Sequence, residues 1–434
     1  MHNYFLTILI SLSWITIFGQ EPADTSRSNK AIEDLTYQQQ PGLALAASKI
    51  FFSKKRYSIS GFGEVNYVGY LGPKDVTVGD MELYYTNLYR FATFFGFRIT
   101  DKIIWNSELQ IEYLHDGLRE GHHEFVFEAF IDFLIHKKFK MRFGFFPLTM
   151  GYVNNNDEPV MFYSVNRSEV ERLIVPSTWI EFGTMFYGSI TKDLSYALGV
   201  SQGLNAQNYI GGTWIRQGRE IRFNVPRNIA VNPQLNYTGV KNLTLSASGY
   251  YGFSGQGKRI EYQGGNPIVR APILLGAAYA KYDYKNWRFV AVGTMGSLGQ
   301  TEKIYELTKN DEGVGQVVGK QTYGYLAEVG CDLLPYFRKN KEVPDKKNWF
   351  VHRKEMKFPV FVRYERLNTH MGVQPDLLSY NRDQRDLDIL TLGINFNTRE
   401  NIVFKANYQF RQNRYKNVGV PESDLVEFGI GFIF

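Results

Sequence analysis

Val426-Glu-Phe-Gly-Ile-Gly-Phe-Ile-Phe434, the last nine residues, alternate along their whole length. Val426, Phe428, Ile430, Phe432 and Phe434 share one side of an extended strand, and Glu427, Gly429, Gly431 and Ile433 share the other. The chain stops on Phe434 with no polar segment after the apolar stripe. Such a strand leaves a row of N–H and C=O groups to satisfy, and pairing with the first strand of the same sheet satisfies them. The stretch therefore predicts an all-β fold: a transmembrane antiparallel β-barrel, with lipid outside and water inside, as in bacterial outer membranes.

The same period of two recurs from about residue 57 onward. Trp105, Ser107, Leu109, Ile111 and Tyr113 alternate with Asn106, Glu108, Gln110 and Glu112. Ile402, Phe404, Ala406, Tyr408 and Phe410 alternate with Val403, Lys405, Asn407, Gln409 and Arg411. Leu243–Gly249 and Tyr323–Cys331 read the same way. One face is aromatic, and the other is Gly, Ser, Thr and Asn with scattered charge, unlike the densely charged face of a soluble sandwich. A mean hydropathy of −0.29 fits strands with every second residue in a wet lumen. The 33 Phe and 29 Tyr against 6 Trp supply the aromatic girdles of such a barrel.

Connections alternate in length. Thr100–Lys102, His136–Lys138, Thr191–Asp193, Val240–Asn242, Tyr284–Asn286 and Thr398–Asn401 are short turns. Longer polar loops lie near 71–79, 115–123, 147–177, 203–226, 254–270, 300–320, 371–384 and 414–422. Eight loops and seven turns predict about 16 strands. Leu334–Lys357 breaks the rule, standing where a short turn belongs. It is either a periplasmic insertion or the sign of a miscounted hairpin. It holds eight Lys/Arg against three acids, a surplus of five in a chain of net charge +6. The basic balance is thus local and excludes a nucleic-acid-binding face running through the fold. Its aromatics, Tyr336, Phe337, Trp349 and Phe350, point instead to lipid phosphates, periplasmic polymers or plain solvation.

Residues 1–19 read as a signal peptide, with an apolar run from Tyr4 to Phe18, which places the chain in the outer membrane of a Gram-negative bacterium. Residues 20–55 form an N-terminal periplasmic segment, in which Pro41–Phe52 is a short helix or a strand entering the barrel, and a small plug is an open alternative. The barrel spans 56–434. A single cysteine, Cys331, excludes a disulfide framework and a Cys-rich metal site.

Lys140-Met-Arg-Phe-Gly-Phe-Phe-Pro147 resembles a strand of the phosphate-selective porin O/P family. Glu171–Pro176 and Glu181–Gly188 are similar to that family's constriction loop and return strand, and Ser60–Tyr67 and Phe434 also fit. The resemblance implies 16 strands, a third loop folded into the lumen, and a homotrimeric diffusion channel. Selection of a dianion requires ladders of fixed positive charge. Here the third loop, Pro147–Ser177, holds Arg167 and Arg172 against Asp157, Glu158, Glu169 and Glu171. The expected wall mixes Arg142, Arg363, Lys405 and Arg411 with Glu64, Glu108, Glu112, Glu328, Glu365 and Glu427.

The candidate constriction is therefore Arg142, Asp157, Glu158, Arg167, Glu169, Glu171 and Arg172. The candidate lumen wall is Glu108, Glu112, Arg363, Lys405 and Arg411. Arg167, Glu169, Glu171 and Arg172 either set the narrowest field or pin the loop to the wall by ion pairs. Gly252–Lys258 matches part of a phosphate-binding loop but lacks the following Ser or Thr, and reads as a flexible outer loop. His115, Asp116, Glu120, His122, His123 and Glu124 crowd one loop at no known ligand spacing. Asn154–Glu158 lacks the alternating carboxylates of a calcium loop. Neither a metal nor another cofactor is expected, and no nucleophile–base motif suggests an enzyme. The sequence favours passive diffusion of small hydrophilic solutes, with phosphate-like anions as a candidate class. Expected partners are membrane lipid and lipopolysaccharide, not nucleic acid. The rivals are an outer-membrane barrel enzyme and a structural or docking barrel of a secretion or uptake assembly.

Overall fold

A computed structural model describes residues 39–72, 87–115, 122–219, 227–338, 348–416 and 422–434. Sixteen antiparallel strands close into one barrel in sequence order. They are β1 (Tyr57–Tyr70), β2 (Asn87–Thr100), β3 (Ile103–His115), β4 (His122–His136), β5 (Phe139–Pro147), β6 (Ile180–Ser189), β7 (Leu194–Gln202) and β8 (Ile229–Tyr237). The second half comprises β9 (Leu243–Phe253), β10 (Pro272–Tyr284), β11 (Trp287–Leu298), β12 (Gln321–Asp332), β13 (Pro359–Met371), β14 (Asp386–Arg399), β15 (Ile402–Asn413) and β16 (Leu425–Ile433).

The seam is the one the terminal stripe demands. β16 pairs with β1 from Phe62↔Ile433 to Tyr70↔Leu425. Phe434 N donates to Gly61 O at 2.9 Å, and Gly61 N to Phe434 O at 3.0 Å. On the outer face Phe434 and Phe432 lie over Gly61 and Gly63, leaving less room than a Cβ would need. Aromatic rings thus cover backbone that glycine leaves bare.

Six short turns fall at one rim where the alternation predicts them. The seventh connection joins the paired strands β12 and β13 across residues 333–358, so the basic segment is an insertion and the strand count stands. Outward residues such as Tyr67, Phe95, Phe127, Leu235, Leu274, Leu392 and Phe428 are exposed and apolar, whereas their inward neighbours are buried. No described helix is long and apolar enough to cross a membrane, so any crossing is made by the strands.

Loops and the N-terminal segment enter the interior. The third loop (148–179) turns into the barrel, and the fourth (203–219) and sixth (299–320) pack beside it. Their Leu148, Met150, Val170, Ile174, Trp179, Trp214, Ile215 and Ile304 form one apolar cluster with Phe62, Phe94, Phe130, Phe146 and Leu367 of the wall. Residues 39–52 of the segment expected in the periplasm lie inside the wall as well. Leu45–Phe52 is a helix, α1, resting on β1, β2 and β3. Ser60 Oγ donates to Ala46 O at 2.7 Å, and Asn106 Nδ2 to Ala47 O at 2.8 Å.

Candidate functional site

The third loop is held in the lumen first by its own asparagines. Asn154 Nδ2 donates to Met150 O at 2.9 Å and Pro176 O at 2.8 Å, and its Oδ1 accepts from Trp179 N at 3.1 Å. Asn155 Nδ2 bonds Gly151 O and Asn156 Nδ2 bonds Tyr152 O, each four residues back. The Asn154–Asn156 run is therefore a set of side-chain staples that satisfy a loop's buried carbonyls.

Two acids assigned to the constriction serve backbone amides. Glu171 accepts from Tyr152 N and Val153 N, the latter at 3.0 Å. Glu158 accepts from Leu45 N at 2.8 Å and Ala46 N at 2.6 Å, capping the start of α1 from another part of the chain. Ala44 at that position has no side-chain acceptor of its own. Burial lifts both carboxyls to about 7, against the opposing pull of those amides.

The other loop charges meet partners. Asp157 accepts from Arg167 and, at 3.0 Å, from Arg90 of β2, which also pairs with Glu64 of β1 at 2.7 Å. Burial would raise Asp157, but Arg167 and Arg90 outweigh it and hold the carboxyl below its usual range. Ser168 caps α2 (Glu169–Leu173). Glu169 pairs with Arg172 at 2.9 Å and with Arg411 of β15 at 3.0 Å, while Arg411 also reaches Glu422 at 2.6 Å. Burial likewise pushes Glu422 upward, and Arg411 and Arg385 reverse the shift.

Across the lumen, Arg363 binds Glu365 at 2.7 Å and donates to Ser164 Oγ, with Glu328 at 3.7 Å. Glu365 in turn accepts from Val170 N at 3.1 Å. Lys405 Nζ donates to Phe162 O and Ser164 O, both at 2.9 Å, and lies 3.9 Å from the centroid of the Phe162 ring. Asn407 accepts from Val165 N at 2.7 Å, and Asn166 donates to Glu427 at 2.6 Å. Inward glycines receive the loop where a side chain would collide. A Cβ at Gly431 would stand 2.4 Å from Pro159, and one at Gly330 would stand 2.3 Å from the Tyr163 ring. The small face of the terminal stripe is thus a seat for the third loop.

Arg142 belongs elsewhere. It pairs with Asp132 at 3.2 Å and donates to Pro41 O at 2.8 Å, while Tyr187 OH bonds the same aspartate at 2.7 Å. Its guanidinium anchors the N-terminal segment to β5. Glu108 stands opposite Glu128 in the β3–β4 register, beside Asp157 at a cavity of about 20 Å³. Glu112 accepts from Gln110 at 2.6 Å. A larger cavity of about 340 Å³ adjoins the short-turn rim, lined by Lys140, Tyr187, Asn236, Thr244 and Lys281 among others.

Sequence reading missed Arg90 and Asp132. Arg90 was legible by extending the alternation of β2, since it sits opposite both Glu64 and Glu112. Gly252–Lys258 ends β9 and turns, with no helix after it. Of the histidine-rich group, Asp116, Glu120 and the side chains of His115, His122, His123 and Glu124 lie outside the described residues, as does the expected signal peptide. Among the described residues no three His, Cys, Asp or Glu side chains converge as a metal site.

No family model matches the chain. It is 27% identical over 409 residues to a protein of Aquifex aeolicus (strain VF5) known only as an uncharacterized protein, covering 92% of this chain and 84% of that one. Among solved structures it is similar to Salmonella typhi OmpF in complex with daunomycin, with a TM-score of 0.52 and 11% identity over 87% of this chain and 97% of that one. The outer membrane channel DcaP of Acinetobacter baumannii gives a TM-score of 0.52 and 10% identity over the same shares. At these identities the likeness is one of fold, the closed antiparallel β-barrel.

Proposed function

We propose that this protein is a porin-type channel of a Gram-negative outer membrane, exported by residues 1–19 and assembled as a trimer, that passes small hydrophilic solutes by diffusion. The observation that carries the reading is the third loop, which leaves β5, crosses a closed 16-stranded barrel and is tied by charged side chains to β2, β13 and β15. Selection works by size and by the residual field of matched charges, with no cofactor. Because acids answer the cations of the third loop and its wall contacts, the described residues form no uncompensated positive ladder of the kind dianion selection requires. A mild preference for anions is supported by Lys140, Lys192 and Lys281 against Asp193 in the lining of the vestibule at the short-turn rim, although Lys281 also pairs with Asp283 at 3.9 Å.

One observation favours a docking barrel instead. Wall side chains including Arg90, Arg142, Glu365 and Gln409 are at most 1% accessible, where a wide water-filled pore would wet them. Single-channel current in planar bilayers under a KCl gradient separates the readings. Small discrete steps, with a reversal potential weakly favouring chloride, support the channel. A silent bilayer at all voltages supports the docking barrel. Block by phosphate at millimolar concentration or below would restore a phosphate-selective channel.

A further inference from the structure

The insertion between β12 and β13 is a strap along the rim, and its described parts, 333–338 and 348–358, wrap the outside of the wall. Lys357 pairs with Asn397 as an isolated bridge, and His352 N donates to Thr398 O at 3.0 Å, so the strap follows the end of β14. Arg399 donates to Asn348 O and fixes its other arm. Phe350 packs edge-on against Phe404 at 5.8 Å, and Phe358 against Phe396 at 6.5 Å. Phe404 and Phe396 stand on the outer face, alternating with the buried inward residues Val403, Lys405 and Asn395.

The strap thus continues the lipid-facing aromatic band beyond the strand ends. Trp349 is 90% exposed and packs at a tilt against Phe350, with ring centroids 5.4 Å apart, and Phe337 is 72% exposed. Arg353, Lys354 and Lys357 are exposed within a few residues of these rings. Among the described residues, the acids Glu355 and Asp332 make contacts inside the strap. Glu355 binds His352, and Asp332 accepts from Leu334 N and from Phe358 N at 2.8 Å.

We propose that this strap is a docking surface for anionic phospholipid in the inner leaflet of the membrane that holds the barrel. The proposal rests on the outer-membrane reading, which puts the short-turn rim on the periplasmic side. Two features select lipid over other anions. Exposed Trp and Phe beside cations match the boundary between hydrocarbon and headgroup, where rings are buried and phosphates lie within reach. The rings are also continuous with the wall through Phe350–Phe404, so the strap borders the bilayer, where a soluble polymer has no matching apolar surface.

The test uses the full-length barrel in nanodiscs of phosphatidylethanolamine and phosphatidylglycerol. Native mass spectrometry then reads the lipids retained on release. Wild type retains phosphatidylglycerol above its bulk share. Each cation is worth about fivefold in attraction to an anionic surface, so R353Q/K354Q/K357Q lowers the enrichment by roughly tenfold or more. Heat-modifiable gel migration confirms that the variant is folded. In the same discs, lipids brominated on the upper acyl chain quench a fluorescence component present in wild type and absent from W349F. Unchanged lipid retention in the triple variant overturns the proposal. So does binding of isolated cell-wall sacculi through the same three cations without lipid enrichment, which would make the wall polymer the partner. Single-channel current stays unchanged in the triple variant. A silent wild-type bilayer would refute the channel reading and leave the lipid result standing.

Discussion

The third loop and the β12–β13 strap are both long, charged and aromatic, yet they use the same residue types in opposite ways. In the loop, Asp157, Glu158, Glu169 and Glu171 all find amides or guanidinium groups, because inside the barrel an unpaired charge loses its hydration. In the strap, Arg353, Lys354 and Lys357 are exposed at the rim, where a charge keeps most of its hydration. Local sequence does not separate the two cases. What separates them is the side of the wall to which each segment turns.

The comparison breaks most visibly if the lumen inserts are removed. Deleting residues 39–52 strips α1 from β1–β3, and takes the Pro41 carbonyl from Arg142 and the amides of Leu45 and Ala46 from Glu158. Single-channel conductance should rise severalfold, and an unchanged value would mean that α1 does not lie in the conducting path. Next in size, Arg363→Met leaves Glu365 and Glu328 without their cation and frees Ser164. Breaking such a buried pair costs about 3–5 kcal/mol. Gel-shift melting should show a clear loss of heat resistance, with noisier current as the loop loosens.

Gly330→Val tests the loop's seat, since the added carbon meets the Tyr163 ring. Overpacking of this kind costs about 1–3 kcal/mol, so a melting curve identical to wild type would remove that contact from the account. Glu171 sharpens the electrostatic side of the comparison. Burial raises its carboxyl from 4.5 to about 7. Its contribution to stability is therefore complete below about 4.5 and is lost as pH rises through about 7. The folded gel band should survive greater heat at about pH 5 than at about pH 8, and Glu171→Gln should flatten part of that difference.

The smallest effect is expected from R167Q/R172Q. Both arginines are paired and only 17% and 12% accessible, so neutralising them should shift the reversal potential modestly toward cations. A large shift would return them to the role of field-setting residues, and no shift would confine them to pinning the loop.

The barrel was legible because an apolar outer face and a polar inner face impose a period of two on the strands, and turns and loops impose a second alternation on the connections. That is why Glu427, Lys405 and Arg363 could be assigned inward without coordinates. The candidate site was legible only as a list of charges. Nothing near Glu158 announces that its partners are the amides of Leu45 and Ala46, more than a hundred residues away. Arg142 looked like a lumen cation because its strand position is inward, yet the carbonyl it holds belongs to Pro41.

The sequence by itself determined the barrel, its closure through Val426–Phe434 and a count of about sixteen strands, since alternation and loop length are local quantities. Only the tertiary structure decided that Gly429 and Gly431 face Val165 and Pro159 where the open lumen was expected, and that the loop's acids are spent on holding it. Those outcomes depend on which distant groups meet once water is excluded, and pairing of that kind leaves no periodic trace along the chain.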